Sequence, residues 1–186
     1  MSVQIARHWF TVAEYNRMGE TGIFSEDDRV ELIEGEIFEM SPIGRRHAAC
    51  VDRLTELFSE QLQRRAIIRV QNPIVLNDYS EPQPDVALLK RREDFYAQSL
   101  PIPGDVLLVI EVADTTLEYD RQIKAPLYAR AGIAEVWIVN LADEQVEIYS
   151  QPANGAYQSH RQAGRGETIN SPGTFNLTLG VDDILG

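Results

Sequence analysis

The chain has 186 residues, of which 44% are hydrophobic, and we expect one domain over residues 1–186 with a sizeable core. Its formal net charge of −12 argues against a protein that grips nucleic acid through an evenly basic surface. No apolar run approaches the ~18 residues of a membrane span. No secretory signal is recognisable, and Cys50 is the single cysteine, so we expect a cytoplasmic protein without an internal disulfide.

The first predicted elements are a short helix and a hairpin. Thr11 and Glu14 have the spacing of a capping box, which predicts a helix start. Residues 29–40 alternate between apolar and polar side chains, and Gly35 indicates a turn or bulge between two short strands.

A long amphipathic helix is predicted next. One buried helical face is indicated by five positions at spacings of four, three, four and four: His47, Val51, Leu54, Phe58 and Leu62. Two strand candidates follow, Ile67–Val70 and Ile74–Leu76.

The second half of the chain predicts the centre of a sheet. Residues 84–89 form a strand candidate, and Val106–Val112 is an apolar run typical of a strand buried on both faces. A helix over Leu117–Ala131 follows, in which Pro126 should remove one hydrogen bond and cause a kink. Glu135–Val139 is another central strand.

The last predicted elements are antiparallel strands. Gln145–Tyr149 and Gly155–His160 alternate like a pair, and Thr174–Leu185 predicts one more short strand. The whole pattern predicts an α/β (α+β) domain in which a mixed β-sheet is flanked by helices.

Two acidic residues on neighbouring predicted strands are candidates for a functional site. Glu111 lies inside an apolar strand, where a carboxylate is paired with a cation such as arginine, protonated, or bound to metal. Asp85 begins the preceding strand and faces either solvent or a site. Together the two acids could bind Mg²⁺ or Mn²⁺, which prefer carboxylate oxygens. Histidine and cysteine do not cluster in the sequence, which argues against zinc.

Lys124 follows Glu111 by thirteen residues, on the next predicted helix. Asp120, Lys124, Leu127 and Ala131 share one helical face, and the two apolar residues suggest that this face turns inward. The lysine could then hold or activate an attacking water and stabilise charge on phosphorus oxygens. The alternative is an exposed Asp120–Lys124 ion pair, worth only ~0.2–0.5 kcal/mol.

The first hairpin carries three glutamates. Strand alternation separates Glu31 from Glu34 and Glu36, and Glu31 is the one that we expect to complete a site, although most acids of this kind are solvated. His47 begins the long helix on its apolar side, and we interpret it as a core histidine.

Together these segments resemble the PD-(D/E)XK nuclease superfamily and, more closely, the Uma-type family of putative restriction endonucleases. The ordered set of segments, which ends in a Gly-x-x-Glu-x-Trp-x-Val strand, is far more specific than one Pro-Asp pair followed by a glutamate. In chain order the segments are Arg29–Ile37, the helix of His47, Gln83–Val86, Val109–Val112, Asp120–Lys124 and Tyr128–Val139.

The resemblance implies a restriction-endonuclease-like core with a metal site. Asp85 and Glu111 would be metal ligands, with the backbone carbonyl of Val112 as a third. Glu31 would match the acid found in the first core elements, and Lys124 would be the catalytic lysine.

One position departs from the superfamily pattern. That pattern has a lysine two residues after the second acid, but Ala113 stands there. The function of that lysine would therefore have to come from the helix that carries Lys124.

The implied activity is that of a Mg²⁺- or Mn²⁺-dependent endonuclease acting on DNA, and nothing in the sequence separates DNA from RNA as the substrate. The resemblance also suggests a homodimer, because two sites are needed to cut both strands at once. The acidic charge balance and Ala113 favour an alternative, a catalytically inactive nuclease-fold module that serves as a binding or regulatory domain.

Overall fold

A computed structural model of the chain describes residues 6–25, 27–171 and 177–186. Within these ranges, no helix has the length and apolar character needed to cross a membrane. The helices and strands, in chain order, are α1 (Val12–Glu20), β1 (Val30–Ile33), β2 (Glu36–Glu39), α2 (Arg45–Leu62), β3 (Ala66–Val70), β4 (Val86–Lys90), β5 (Val106–Ala113), α3 (Leu117–Tyr119), α4 (Ala125–Arg130), β6 (Glu135–Asn140), β7 (Gln145–Ala153), β8 (Ala156–Gly164), β9 (Thr168–Ser171), β10 (Leu177–Gly180) and α5 (Val181–Leu185).

The centre of the fold is a six-stranded sheet in the order β3-β4-β5-β6-β7-β8. Strands β5 and β6 are parallel, and every other neighbouring pair in this sheet is antiparallel. Two separate hairpins pair β1 with β2 and β9 with β10. The mixed sheet flanked by helices that the sequence predicts is therefore confirmed.

The sheet has helices on both faces, and its central strand supplies side chains to each. On one face, Phe58 of α2 and Ile184 of α5 share a core cluster with Ile110 of β5. On the other face, Leu127 of α4 shares a cluster with Val109 of β5. Because side chains alternate along a strand, the residue after Ile110 returns to the α4 face.

The first hairpin turns over two residues with positive φ, as its two-residue loop requires. Glu34 has a φ of 50° and Gly35 a φ of 81°, and a Cβ on this glycine would lie 2.8 Å from Cβ of Trp9. The register that follows buries Glu31 and leaves Glu36 exposed. The predicted turn is confirmed. Glu36 pairs with Ile33, which lies on the same face of β1 as Glu31, so the predicted separation of Glu31 from Glu36 by strand alternation is wrong. The two glutamates differ instead in burial.

The helical segment after β5 contains an unusual wide turn. Between α3 and α4, Asp120–Lys124 form a π-helical turn in which the N–H of Ala125 donates to the carbonyl of Asp120. Pro126 follows directly and has no N–H to donate to an ordinary helical turn. The hydrogen bond that the proline was predicted to remove is thus accommodated by widening the helix.

Two parts of the strand assignment were wrong. Ile74–Leu76 is not a regular strand, because the N–H groups of Ile74 and Leu76 donate to carbonyls of Pro82 and Ser80 in the loop that follows. Strand β9 was not predicted, whereas β10 matches the predicted tail strand, whose first residue lies outside the described ranges.

Candidate active site

A cleft of about 580 Å³ lies where the first hairpin, the start of β4, the end of β5 and the π turn meet. The structure brings all four candidate side chains from the sequence into it. The charged and titratable residues that line it include Glu31, His47, Asp85, Glu111, Asp120 and Lys124.

The two candidate acids are neighbours across the β4–β5 pair. Val86 pairs with Ile110, so Asp85 stands beside Glu111 where β4 begins. The backbone N–H of Asp85 faces Oε2 of Glu111 at 3.4 Å. The sheet register therefore fixes how close the two carboxylates lie.

Asp85 is held in its charged form by several donors. Its Oδ2 lies 2.8 Å from the backbone N of Val112 and 3.0 Å from Nε2 of His47, and its Oδ1 accepts from Gln71 at 3.2 Å. Burial alone would raise the pKa of Asp85. The hydrogen bond and charge of His47, the Val112 N–H and the charge of Lys124 outweigh burial, and the pKa lies below its usual value.

Glu111 is buried, with a side chain only 3% exposed, and it shares its cation with other acids. Its Oε1 accepts from the hydroxyl of Tyr128 at 2.6 Å and lies 3.2 Å from Nζ of Lys124. Burial raises the pKa of Glu111 to about 8 against the lowering charge of Lys124, and the charges of Asp120 and Asp85 raise it further. Burial and the neighbouring acids thus favour the protonated form of this carboxyl group, and added positive charge would favour the ionised form.

Lys124 joins two carboxylates on different strands. Its Nζ lies 3.2 Å from Oε1 of Glu111 and 3.2 Å from Oε2 of Glu31, and its side chain is 5% exposed. Burial would lower the pKa of Lys124, but four carboxylates, of which Glu111 has the largest effect, raise it above its usual value. The ammonium group therefore stays charged.

Glu31 is fixed by the loop before β4 and by the helical segment. The backbone N–H of Gln83 donates to its Oε2 at 3.1 Å, and the hydroxyl of Tyr119 donates to its Oε1 at 3.1 Å. Asp120 is also buried, accepts from Thr116 at 2.8 Å, and has a pKa that burial raises to about 6. The cluster thus holds more carboxylates than cations.

The composition of this cluster fits a hard divalent cation. Its donors are carboxylate oxygens, which Mg²⁺ and Mn²⁺ prefer, and added positive charge would relieve the repulsion that raises the pKa of Glu111. Within the described ranges, no three acidic, histidine or cysteine side chains are already arranged to hold a metal ion. The ammonium of Lys124 is what bridges Glu31 and Glu111.

Two interpretations from the sequence are corrected here. Lys124 is not half of an exposed pair with Asp120, because both residues are buried in the π turn. His47 is not a core histidine, because it lines the cleft and its imidazole contacts Asp85. Its Nδ1 is buried without a hydrogen-bond partner among the described residues. For Val112, the N–H is a donor to Asp85, while the role of its carbonyl as a ligand stays a prediction.

Sequence reasoning missed two tyrosines whose hydroxyl groups donate to the candidate carboxylates, Tyr128 to Glu111 and Tyr119 to Glu31. Tyr128 follows Lys124 by four residues, as Lys124 follows Asp120, so helical spacing could have placed these three side chains together. Tyr119 is adjacent to Asp120 and offers no comparable signal. Its contact with Glu31 joins residues 88 positions apart in the chain.

Comparisons with known proteins agree with this architecture. The family model of Uma2, described as putative restriction endonuclease, matches residues 12–182. The chain is also similar to the crystal structure of a putative nuclease belonging to DUF820 from Anabaena variabilis ATCC 29413. The TM-score is 0.73 at 16% sequence identity, with 95% of this chain and 97% of that chain covered. This likeness shows a shared fold. A search of curated proteins found no match.

Proposed function

The chain belongs to the Uma2 family of putative restriction endonucleases, and we propose that it is an endonuclease that hydrolyses DNA phosphodiester bonds with Mg²⁺ or Mn²⁺. Hydrolysis adds water across one P–O ester bond, so that a phosphate monoester and a free hydroxyl group result. The family supports a nuclease, and the choice of metal and DNA is part of the proposal.

One observation carries the proposal. Glu31, Asp85, Glu111 and Lys124 come from four separate segments of the chain and converge in a single cleft. Burying so many ionisable groups together costs stability, and such clusters are typical of functional sites. A site that serves only the fold would be expected to balance its charges.

The proposed metal ligands are Asp85 and Glu111, with the backbone carbonyl of Val112 as a third. When bound, a divalent cation supplies charge neutralisation at a phosphodiester and makes a water molecule more acidic. Its arrival would also favour the deprotonated form of Glu111, whose pKa is raised to about 8 without it.

Lys124 would act on the phosphodiester itself. Its ammonium group lies beside Glu111 and Glu31, lines the cleft and keeps its proton. A fixed positive charge of this kind stabilises the negative charge that develops on the non-bridging phosphate oxygens as water attacks. Removing one such donor commonly reduces the rate about 10²- to 10³-fold.

The remaining side chains orient these groups. His47 keeps Asp85 charged and fixes one of its oxygens, and the hydroxyl of Tyr128 fixes one oxygen of Glu111 by a hydrogen bond. Tyr119 fixes Glu31, which in turn restrains Lys124. Such restraints hold the charges in place before the substrate arrives, so that little reorganisation is needed during the reaction.

A cleavage assay tests the proposal. Wild-type protein should nick or linearise supercoiled plasmid in Mg²⁺ or Mn²⁺ and should be inactive in EDTA. Asp85→Asn should reduce the rate at least about 10³-fold, since it removes one charged ligand at nearly constant shape. The matched control is Asp52→Asn, an exposed position on α2, which should cut as wild type does. Cleavage that persists in Asp85→Asn would refute the proposed site.

The alternative is a nuclease-fold module that binds without cutting. Its support is Ala113, a buried alanine at the position where the superfamily pattern has a lysine. A folded protein that binds nucleic acid but cleaves neither DNA nor RNA with either metal would favour this alternative.

The proposed active species is a homodimer, since simultaneous cleavage of both strands requires two sites. Light scattering coupled to size-exclusion chromatography should then give about twice the mass of one chain. A monomeric mass for a protein that linearises plasmid in one step would contradict the dimer.

A further inference from the structure

A second cavity of about 370 Å³ is lined by arginines, and we call it the arginine groove. Its charged lining residues are Arg45, Arg46, Arg53, Arg165 and Glu144. Four positive side chains against one negative make it a basic surface in a chain whose formal net charge is −12. A concentration of arginine of this kind suits a ligand with repeated negative charges.

The arginine groove adjoins the cleft, with the start of α2 as the wall between them. Gly44 and His47 line the cleft, whereas Arg45 and Arg46 line the groove. Six residues of helix separate His47 from Arg53, which is a rise of ~9 Å. This distance corresponds to about two or three backbone phosphates of one strand at 3.4 Å each along a duplex axis.

Two of the four arginines have no acidic side-chain partner among the described residues. Arg46 donates to the carbonyl of Leu141 at 2.5 Å, and Arg165 forms salt bridges with Glu144 and Asp182. By contrast, neither Arg45 nor Arg53 forms a salt bridge with an acidic side chain in the part of the chain that the structure describes. Arg46 also lies 3.8 Å from Asp114, and the guanidinium of Arg53 packs against Gly186. The charges that no acidic side chain of the described residues offsets are therefore those of Arg45 and Arg53.

We propose that the arginine groove binds backbone phosphates of a DNA duplex beside the phosphate that is cut. The proposal rests on the proposed function for the position of the scissile phosphate in the cleft. It explains how an acidic protein can bind DNA, since the basic contact surface is local and next to the acidic site. Contacts of this type position a duplex without reading its sequence.

Equilibrium binding without cleavage tests this proposal. Fluorescence anisotropy of a labelled DNA duplex is measured in EDTA over a series of KCl concentrations. The variant combines Arg45→Ala with Arg53→Ala. The control combines Arg17→Ala with Arg64→Ala, two exposed arginines outside both cavities, so that the net charge changes equally. Unchanged thermal unfolding of each variant establishes that it is folded.

The groove variant should bind about fivefold to tenfold more weakly, and the slope of log Kd against log salt should fall by about 1 to 2. The control should change Kd less than about twofold. Groove and control variants that bind alike would overturn the proposal, as would wild-type protein that binds no duplex, or only an RNA duplex of the same sequence.

Parallel cleavage assays separate this proposal from the proposed function. Protein that binds through the groove but never cuts would leave the groove standing and refute the nuclease. Protein that cuts in a manner dependent on Asp85, while the groove variant binds as wild type does, would refute only the groove.

Discussion

Glu111 and Glu147 lie in one row across the sheet, but their surroundings shift their pKa values in opposite directions. Both pair with Ile138 of β6, Glu111 in the parallel ladder and Glu147 in the antiparallel one. Both are buried, and the same π turn covers them. Lys124 of that turn reaches Glu111, and Arg121 reaches Glu147.

The two glutamates differ in how their charge is compensated. Arg121 binds both oxygens of Glu147, at 2.5 and 3.1 Å, and the hydroxyl of Tyr149 donates a third bond. Burial would raise the pKa of Glu147, but Arg121 and Tyr149 lower it below its usual value. Glu111 shares one lysine with other acids, and its pKa rises to about 8.

The comparison distinguishes a structural ion pair from a site. Arg121 also contacts the exposed Glu118, but it binds the buried Glu147 through two bonds, and a carboxylate bound in this way gains little from a further cation. A group of carboxylates that outnumbers its cations is stabilised by whatever positive charge binds next. Glu147 thus has the pairing of a structural carboxylate, and the contrast supports the proposed role of Glu111, although both are buried acids on central strands.

The largest expected difference concerns catalysis. If the proposed function is correct, Lys124→Met should lower the cleavage rate about 10²- to 10³-fold, because it removes the positive charge proposed to lie next to the phosphodiester. Arg121→Met should lower it less than about tenfold, because Arg121 compensates Glu147 instead. Rates are compared at a temperature at which circular dichroism shows both variants folded. Equal losses in the two variants would remove the distinction between the clusters.

Replacing glutamate by glutamine should change the free energy of unfolding in opposite directions at positions 147 and 111. In EDTA at pH 8, Glu147→Gln should lower the free energy of unfolding by about 1–3 kcal/mol. The upper range for a broken buried pair is reduced here because the Arg121 side chain is 30% exposed. Glu111→Gln should raise the free energy of unfolding by about 1 kcal/mol, since it relieves acidic repulsion. Urea unfolding measures both, and changes of the same sign would contradict the comparison.

The same comparison also predicts how the stability of the metal-free protein depends on pH. The folded-state pKa of Glu111 is raised from 4.5 to about 8. Between these two pH values the native state therefore binds more protons than the unfolded state. The free energy of unfolding of metal-free protein should therefore fall as pH rises from about 5 to 8, by at most ~1.4 kcal/mol per pH unit. Asp120, with a pKa raised to about 6, adds to the lower part of this range.

Glu147 should act in a different pH window. Its pKa is lowered, so its stabilising contribution is complete above the ordinary glutamate value and is lost only as pH falls below it. In urea unfolding at a series of pH values, Glu111→Gln should flatten the profile near neutral pH, while Glu147→Gln should not. A wild-type profile that is flat from pH 5 to 8 would refute the raised pKa of Glu111.

The sequence predicted the sheet and the four side chains that converge in the cleft because their signals are local. Glu111 interrupts an apolar strand, and the hairpin turn at Gly35 settles which face of the strand Glu31 occupies. Lys124 could be placed on an inward helical face, but helical periodicity could not predict the π turn that carries it. Hydrogen bonding around Pro126 determines that turn.

Contacts between distant segments explain what sequence reasoning missed. His47 follows the apolar spacing of α2 and meets Asp85 only because the start of that helix reaches the start of β4. Glu147 looked like any polar residue on an alternating strand, and its burial depends on the helical segment packed above it. Such neighbours are set by tertiary packing, which no local pattern in the chain records.

Calorimetric titration with Mn²⁺ tests the central claim most directly. Wild type and Glu147→Gln should bind Mn²⁺ at pH 7 with release of a proton, detected as an enthalpy that varies with the ionisation enthalpy of the buffer. Glu111→Gln should bind much more weakly and without that variation. Equal binding by Glu111→Gln and wild type, or no binding by wild type, would contradict the assignment of Glu111 to a metal site.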